Sequence, residues 1–274
     1  LSHCWGGAQV YTLNPETKHE MIKAVPMEKL AKNFQDAIHV TRELGYSYIW
    51  IDSLCIIQNQ QRKPEWEAES AKDWTEQSRI MGDVYRNSDL TIAATSAANP
   101  HVGFINLKGH PNDTNTSQNG VEDSPLCQRA WVFQERLLSP RMLHFTNSML
   151  FWECRTMTAS EIDPSGHPRD RRVGEPIAPE KNKEDAFLFH RRWYDLVKVY
   201  SAGKLTFQKD KLMAISSIVR EIQERHPANG YVDGLWEETL LMDLLWRVDV
   251  KGDALAMGRL KENELPSWTW ASTD

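Results

Sequence analysis

The sequence predicts an α/β fold, with a parallel sheet and flanking helices in the first half and a mainly helical second half. Three observations predict it. Up to Trp152, short β-branched and aromatic runs alternate with stripes of helical spacing, the βαβ pattern of a parallel sheet. From Phe189 onward, apolar residues recur every three or four positions instead. Between the two, residues 161–185 are rich in proline and charge and read as a surface excursion. The expected division is therefore 1–160 as the α/β domain, 161–186 as a linker, and 187–274 as a helical extension packed on the first part.

Leu1-Ser2-His3-Cys4-Trp5-Gly6-Gly7 reads as the end of a strand entering a tight turn. Its glycines permit positive φ or close backbone approach to a ligand, and a simple turn is the plainer reading. Residues 27–44 predict a helix with Leu30, Phe34, Ile38 and Thr41 on one face, opened by Pro26 and closed by Gly45. Residues 46–51 predict a strand ending in Asp52-Ser53-Leu54-Cys55. Ligands bind at the carboxyl ends of parallel strands, so Gly6 and Asp52 fall on one rim. Residues 58–72 are polar, a loop or a loosely held helix. Residues 73–87 predict a helix capped by Asp73, with Glu76 completing the cap and Trp74, Met81, Val84 and Tyr85 inward. A third strand follows at 90–94, then a polar loop over 100–125. Residues 142–145 and 149–152 predict a hairpin around Asn147-Ser148. Stripes at Phe189, Trp193 and Tyr200, at Leu212, Ile215 and Ile222, and at Leu241, Leu245 and Val248 read as core helices. Residues 265–270 alternate like one more strand.

The densest chemistry lies in Arg129-Ala130-Trp131-Val132-Phe133-Gln134-Glu135-Arg136-Leu137-Leu138-Ser139, a helix stopped by Pro140. Trp131 and Glu135 are four apart and share a face, ringed by Arg129, Arg136 and Arg141. Taken alone, the helix reads as amphipathic, with Phe133, Leu137 and Leu138 in the core and an ion pair outside.

Composition narrows the function classes. Lys and Arg total 32 against 38 acidic residues, a net charge of −6 with no long basic run, so a basic nucleic-acid face is not expected. No apolar run reaches the length of a membrane span, and no signal peptide is visible, although the chain opens on Leu1 and reads as an excerpt. A cytoplasmic location is expected. Cys4, Cys55, Cys127 and Cys154 fit no zinc spacing and are expected as free thiols, with no metal site and no prosthetic group.

The ordered set Leu1-Ser2-His3-Cys4-Trp5-Gly6, 48–58, 81–94, 129–139 and Leu150-Phe151-Trp152-Glu153-Cys154 resembles the fungal heterokaryon-incompatibility (HET) domain. Residues 231–236 and 265–272 resemble segments that often follow it in fungal proteins. Many family members carry tyrosine where this chain has His3, either a tolerated swap or a group that can hydrogen-bond and titrate. The resemblance implies a role in non-self recognition leading to cell death when incompatible hyphae fuse. Through the likeness drawn between HET and TIR domains, it also implies a flavodoxin-like sheet and NAD cleavage by one glutamate. In TIR sequences that glutamate often lies four residues after a tryptophan, on the helix following the third strand, where this chain has Trp131 and Glu135.

On that implication Glu135 is the catalytic carboxylate, facing an oxocarbenium-like transition state. Ser2, His3, Trp5, Gly6, Gly7, Asp52, Arg129 and Trp131 then line the site, with NAD as substrate. Asp52 is read equally as a turn-forming carboxylate. The competing implication is a non-catalytic module that self-associates or binds another signalling protein, because Arg and Trp also enrich interfaces. Neither reading involves nucleic acid or membrane. Glu135 in a concave pocket with Trp5 and Asp52 favours the enzyme; Glu135 paired to arginine beneath a packed surface favours the module.

Overall fold

The computed structural model describes residues 1–105, 119–169, 183–248 and 265–273. The chain divides into two compact units, Leu1–Asp170 and Arg171–Asp274.

In the first unit, α1 (Lys18–Lys23), α2 (Lys32–Glu43), α3 (Asp52–Cys55) and α4 (Pro64–Arg86) precede β1 (Thr91–Ala93). After α5 (Asn119–Glu122) and α6 (Ala130–Leu138) come β2 (Arg141–Phe145), β3 (Leu150–Cys154), β4 (Met157–Ser160) and β5 (Asp163–Pro168). The sheet order is β1-β2-β3-β4-β5, with β1 and β2 parallel and every later pair antiparallel. The fold class is therefore α/β as expected, but the sheet is mostly antiparallel rather than flavodoxin-like. The connections give the reason. Arg155-Thr156 joins β3 to β4 and Glu161-Ile162 joins β4 to β5. Links of two residues close antiparallel pairs, whereas a parallel pair needs a crossover.

The parallel character is concentrated at the start of the chain. Ser2 forms a parallel bridge to Ala93, with its N–H donating to Ile92 at 2.8 Å and Ala94 N–H donating to Ser2 at 3.0 Å. The Leu1 nitrogen donates to the Trp50 carbonyl at 2.8 Å. The strand expected at 46–51 does not form. Tyr48 is 92% exposed, and residues 46–51 carry no ladder, with Ile51 extended ahead of α3.

The helix expected at 73–87 starts earlier, with Pro64 in the first turn, where a missing N–H costs nothing. Asp73 therefore lies inside α4 and does not cap it. Its carboxylate accepts the Ile57 N–H at 2.7 Å, tying the loop after α3 to the helix. Residues 163–168, expected as surface excursion, form β5, with Thr158 opposite His167 and Met157 opposite Pro168. Two prolines in a terminal strand of the sheet suit an edge that nothing need pair. Of the loop expected at 100–125, residues 106–118 lie outside the described residues.

The core of this unit packs Phe34 and Ala37 of α2 against Leu1, Ile51, Ile92, Phe104 and Phe145. Full burial of a side chain such as Phe34 contributes about 1.5–3 kcal/mol. A smaller cluster of Cys4, Ala93, Leu126, Val132 and Met142 seats α6 against β1 and β2.

The second unit contains α7 (Lys183–Ser201), α8 (Ser216–Arg225), a hairpin of β6 (Tyr231–Val232) and β7 (Leu235–Trp236), and α9 (Leu240–Asp243). Trp236 is its centre, with the rings of Phe189 at 5.4 Å, Trp193 at 5.5 Å and Tyr231 at 4.9 Å. The hairpin turns at Asp233 and Gly234, both at positive φ, the handedness that matches strand twist. The third helical stripe fails: α9 ends at Asp243, and Leu241 and Leu245 are exposed rather than core. No strand forms at 265–270. Thr269 caps a 3-10 turn over Trp270–Ser272, and the Trp270 indole donates to the Gly234 carbonyl at 2.8 Å. Among the described residues, no helix is long and apolar enough to cross a membrane, and all four cysteines are free.

Candidate functional site

The site begins where the chain enters the sheet. The bridge to Ala93 fixes Ser2, and its hydroxyl donates to a Glu135 carboxylate oxygen at 2.5 Å. Glu135 lies on the inner face of α6, 6% exposed. Ser139 ends that helix by returning its hydroxyl to the Glu135 carbonyl at 2.7 Å while meeting the Thr91 hydroxyl at 2.7 Å. Tyr85, near the end of α4, donates its phenol to the Leu1 carbonyl at 3.2 Å and also faces Glu135. Burial pushes the Glu135 carboxyl above its ordinary value. Arg129 and the Ser2 hydrogen bond oppose the rise, and Asp52 adds to it. Burial, followed by the charges of Glu135 and Asp52, holds the Tyr85 phenol well above its ordinary value. Arg129, the extended residue that opens α6, donates to the His3 carbonyl and so ties the helix start to the same strand.

Further along, His3 is 2% exposed, with Nδ1 3.7 Å from Asp52 Oδ1. Its ring lies parallel to Trp5, centroids 6.0 Å apart, and edge-on to Phe34 at 5.0 Å. Burial lowers its pKa to about 4, against the pull of Asp52, so the imidazole is neutral at neutral pH. Its Nε2 is buried without a hydrogen-bond partner. Asp52 accepts the Trp5 indole N–H at 2.9 Å and the Ser53 N–H at 2.7 Å. It is thus a turn-forming carboxylate and a site neighbour at once. Gly6 and Gly7 both have positive φ. A Cβ on Gly6 would stand 2.6 Å from the Ala98 carbonyl, so that glycine serves close chain packing, whereas the space around Gly7 is open.

Ser2, His3, Trp5, Asp52, Arg129 and Glu135 therefore come together, and Gly6 and Gly7 continue their exposed rim. Trp131 makes its ring contact elsewhere. It packs edge-to-face on Trp74 of α4, centroids 5.5 Å apart. Arg136 and Arg141 have other partners. Arg136 grips Glu153 with two nitrogens, and Arg141 donates to the Asp89 carbonyl at 3.2 Å. Glu153 also meets Arg169 at 3.3 Å and His144 at 3.4 Å, a second buried network absent from the sequence reading. Tyr85 is the site residue that reading placed only in the core. Its signal was a phenol on an apolar helix face, whose hydroxyl must find a partner.

The family model described as "Heterokaryon incompatibility protein (HET)" matches residues 1–135, from the strand that carries Ser2 to Glu135 itself. Residues 1–135 are a HET domain. No curated protein and no solved structure matches the chain. Ser2, His3, Trp5, Asp52, Tyr85, Arg129 and Glu135 fall inside the HET match, while Ser139, β2 to β5 and the Glu153 network lie beyond it. The HET domain connects this chain to heterokaryon incompatibility.

Proposed function

We propose that this chain is a cytoplasmic effector of fungal non-self recognition whose HET domain cleaves the nicotinamide–ribose bond of NAD and so drives cell death. One observation supports the reading above the others. Two carboxylates, Glu135 and Asp52, meet Arg129 and Trp5 at the carboxyl end of the Ser2–β1 parallel pair, where such sheets hold ligands. Breaking that bond leaves positive charge on the ribose carbon as nicotinamide departs with the bonding pair as a neutral base. Ionised Glu135 stabilises that charge, and a water supplies the new carbon–oxygen bond and releases its proton. Arg129 suits the pyrophosphate and Trp5 a flat ring. No strong general acid is required, which agrees with a neutral His3.

A different observation favours the non-catalytic reading. Glu135 is almost wholly buried and already bonded to Ser2, as befits an internal polar node in a domain that works by binding copies of itself or a signalling partner. Incubating the purified chain with NAD at high protein concentration separates the two. The enzyme reading expects nicotinamide release that Glu135→Gln abolishes. Absence of turnover at every concentration would transfer the assignment to the assembly module.

A further inference from the structure

Adjacent residues of α6 enter two different buried carboxylate sites. Glu135 meets Ser2 and Tyr85. Arg136 meets the sheet, where its Nε donates to Glu153 Oε2 at 2.8 Å and its Nη2 donates to Oε1. Two bonds from one planar guanidinium fix an orientation as well as a distance. Glu153 is itself braced. It lies on β3 opposite Met142 of β2, 6% exposed, with Arg169 Nη2 at 3.3 Å and His144 Nε2 at 3.4 Å. His144 meets the Thr95 hydroxyl at 3.0 Å, and Arg169 donates to the Cys154 carbonyl at 3.0 Å. Successive residues of a helix are turned by about 100° around its axis, so the side on which Arg136 is anchored sets the direction in which Glu135 leaves the backbone. Arg129 holds the start of α6 to the His3 carbonyl, and Ser139 holds its end to Thr91. The fork fixes the turn between those two ties.

We infer that Arg136 and Glu153 are positioning residues whose buried fork sets the rotation of α6 and so holds the Glu135 carboxylate against Ser2. Both lie beyond the HET match, which ends at Glu135, so the residues that aim this carboxylate come from outside the matched segment. Their importance to catalysis rests on the NAD reading proposed above; their hold on Glu135 does not.

The test is a double-mutant cycle in the full chain. Ser2→Ala removes the donor to Glu135. Arg136→Met removes the fork and leaves Glu153 with Arg169 and His144. Urea unfolding gives the folding equilibrium constant of each single and double variant. The effects of independent sites multiply to within about twofold, whereas a positioned Glu135 predicts a coupling of about fivefold or more, because a helix free to turn leaves Ser2 less to lose. Arg136→Lys, which keeps the charge but offers no fork, carries the cycle if Arg136→Met does not fold. NAD turnover is the second readout. With Glu135 misaligned, kcat should fall about tenfold to a hundredfold while KM changes little, since that carboxylate acts on charge present only in the transition state. Effects that simply multiply overturn the inference, as does Glu135-dependent turnover whose kcat the Arg136 variants leave unchanged. If the wild type releases no nicotinamide, the NAD reading fails and the cycle alone decides: coupling upholds the hold on Glu135, and its absence overturns it.

Discussion

Glu135 and Glu153 are both buried carboxylates, yet Glu135→Gln is expected to leave stability nearly unchanged and Glu153→Gln to lower it sharply. At Glu135 the glutamine still accepts the Ser2 hydroxyl. A charge-assisted bond of about 1.5–3 kcal/mol becomes a neutral one of about 0.5–1.5, a loss of about 1–1.5 kcal/mol. Against that stands relief of a charge the interior resists, since burial outweighs Arg129 and Ser2 and leaves the carboxyl raised. The net change at pH 7 should stay within about 1 kcal/mol, or about 2–4 °C in a unit of this size. At Glu153, burial alone would raise the carboxyl, but Arg136, then His144, hold it well below the usual range. Removing that charge strands Arg136 beside Arg169 and should cost about 3–5 kcal/mol, or about 6–20 °C.

The pH dependence carries opposite signs. A raised folded carboxyl contributes most below the unfolded value of about 4.3 and loses that contribution as pH rises through the folded value. Glu135→Gln should therefore gain on the wild type between pH 4 and pH 7. A depressed carboxyl contributes above about 4.3 and loses its contribution as pH falls toward the folded value, so the Glu153→Gln deficit should shrink in acid. Scanning calorimetry of both variants at pH 4 and pH 7 reads this directly. If Glu135→Gln melts as far below the wild type as Glu153→Gln, the charge at Glu135 is structural and its burial is not a functional cost.

Gly6→Ala should destabilise by about 1–3 kcal/mol, from strain at positive φ and collision with the Ala98 carbonyl. Gly7→Ala, with open space, should cost only the backbone term of about 1–2 kcal/mol, and equal melting temperatures would refute the distinction. In a double-mutant cycle, Trp74→Ala and Trp131→Ala should show a coupling of about 0.5–1.5 kcal/mol, whereas additivity would deny their edge-to-face contact. Unreduced, denatured protein should titrate as four thiols. In the native state Cys154 should react before Cys4: burial opposes its thiolate, but hydrogen bonds led by Thr156 lower its pKa, whereas burial raises that of Cys4. Fewer than four thiols would establish a disulfide.

Much of the candidate site was legible because its parts are local. The apolar face of α2, the glycine turn after Trp5 and the stop at Pro140 each follow from a few neighbouring residues. Glu135 and Ser2 could be nominated through the family resemblance, although their 2.5 Å bond spans 133 positions. The Trp131 contact was not legible, because helical spacing fixes the face on which a side chain lies but not the neighbour that occupies it, here Trp74. The sheet direction was misread for a related reason. Tyr46 to Ile51 has strand composition, but pairing depends on whether a neighbour offers its free edge, and only the Trp50 carbonyl found a donor in Leu1. β5 was hidden by its own edge chemistry, since prolines that signal a loop in isolation also suit a strand paired on one side. The Asp233-Gly234 turn was a readable hairpin signal between helical stripes and was overlooked.

The hairpin of β4 and β5 gives this protein a place to be engineered. Sheet order puts β5 at the opposite margin from β1, the strand that positions Ser2, and the connecting Ile162 is 66% exposed. A peptide tag or fluorophore-bearing loop grafted after Ile162 would lengthen an outboard turn while the strands between it and Ser2 keep their pairing. Such a graft would let the proposed assembly be tested by energy transfer between labelled copies, with the HET cluster of each copy left in its native sequence.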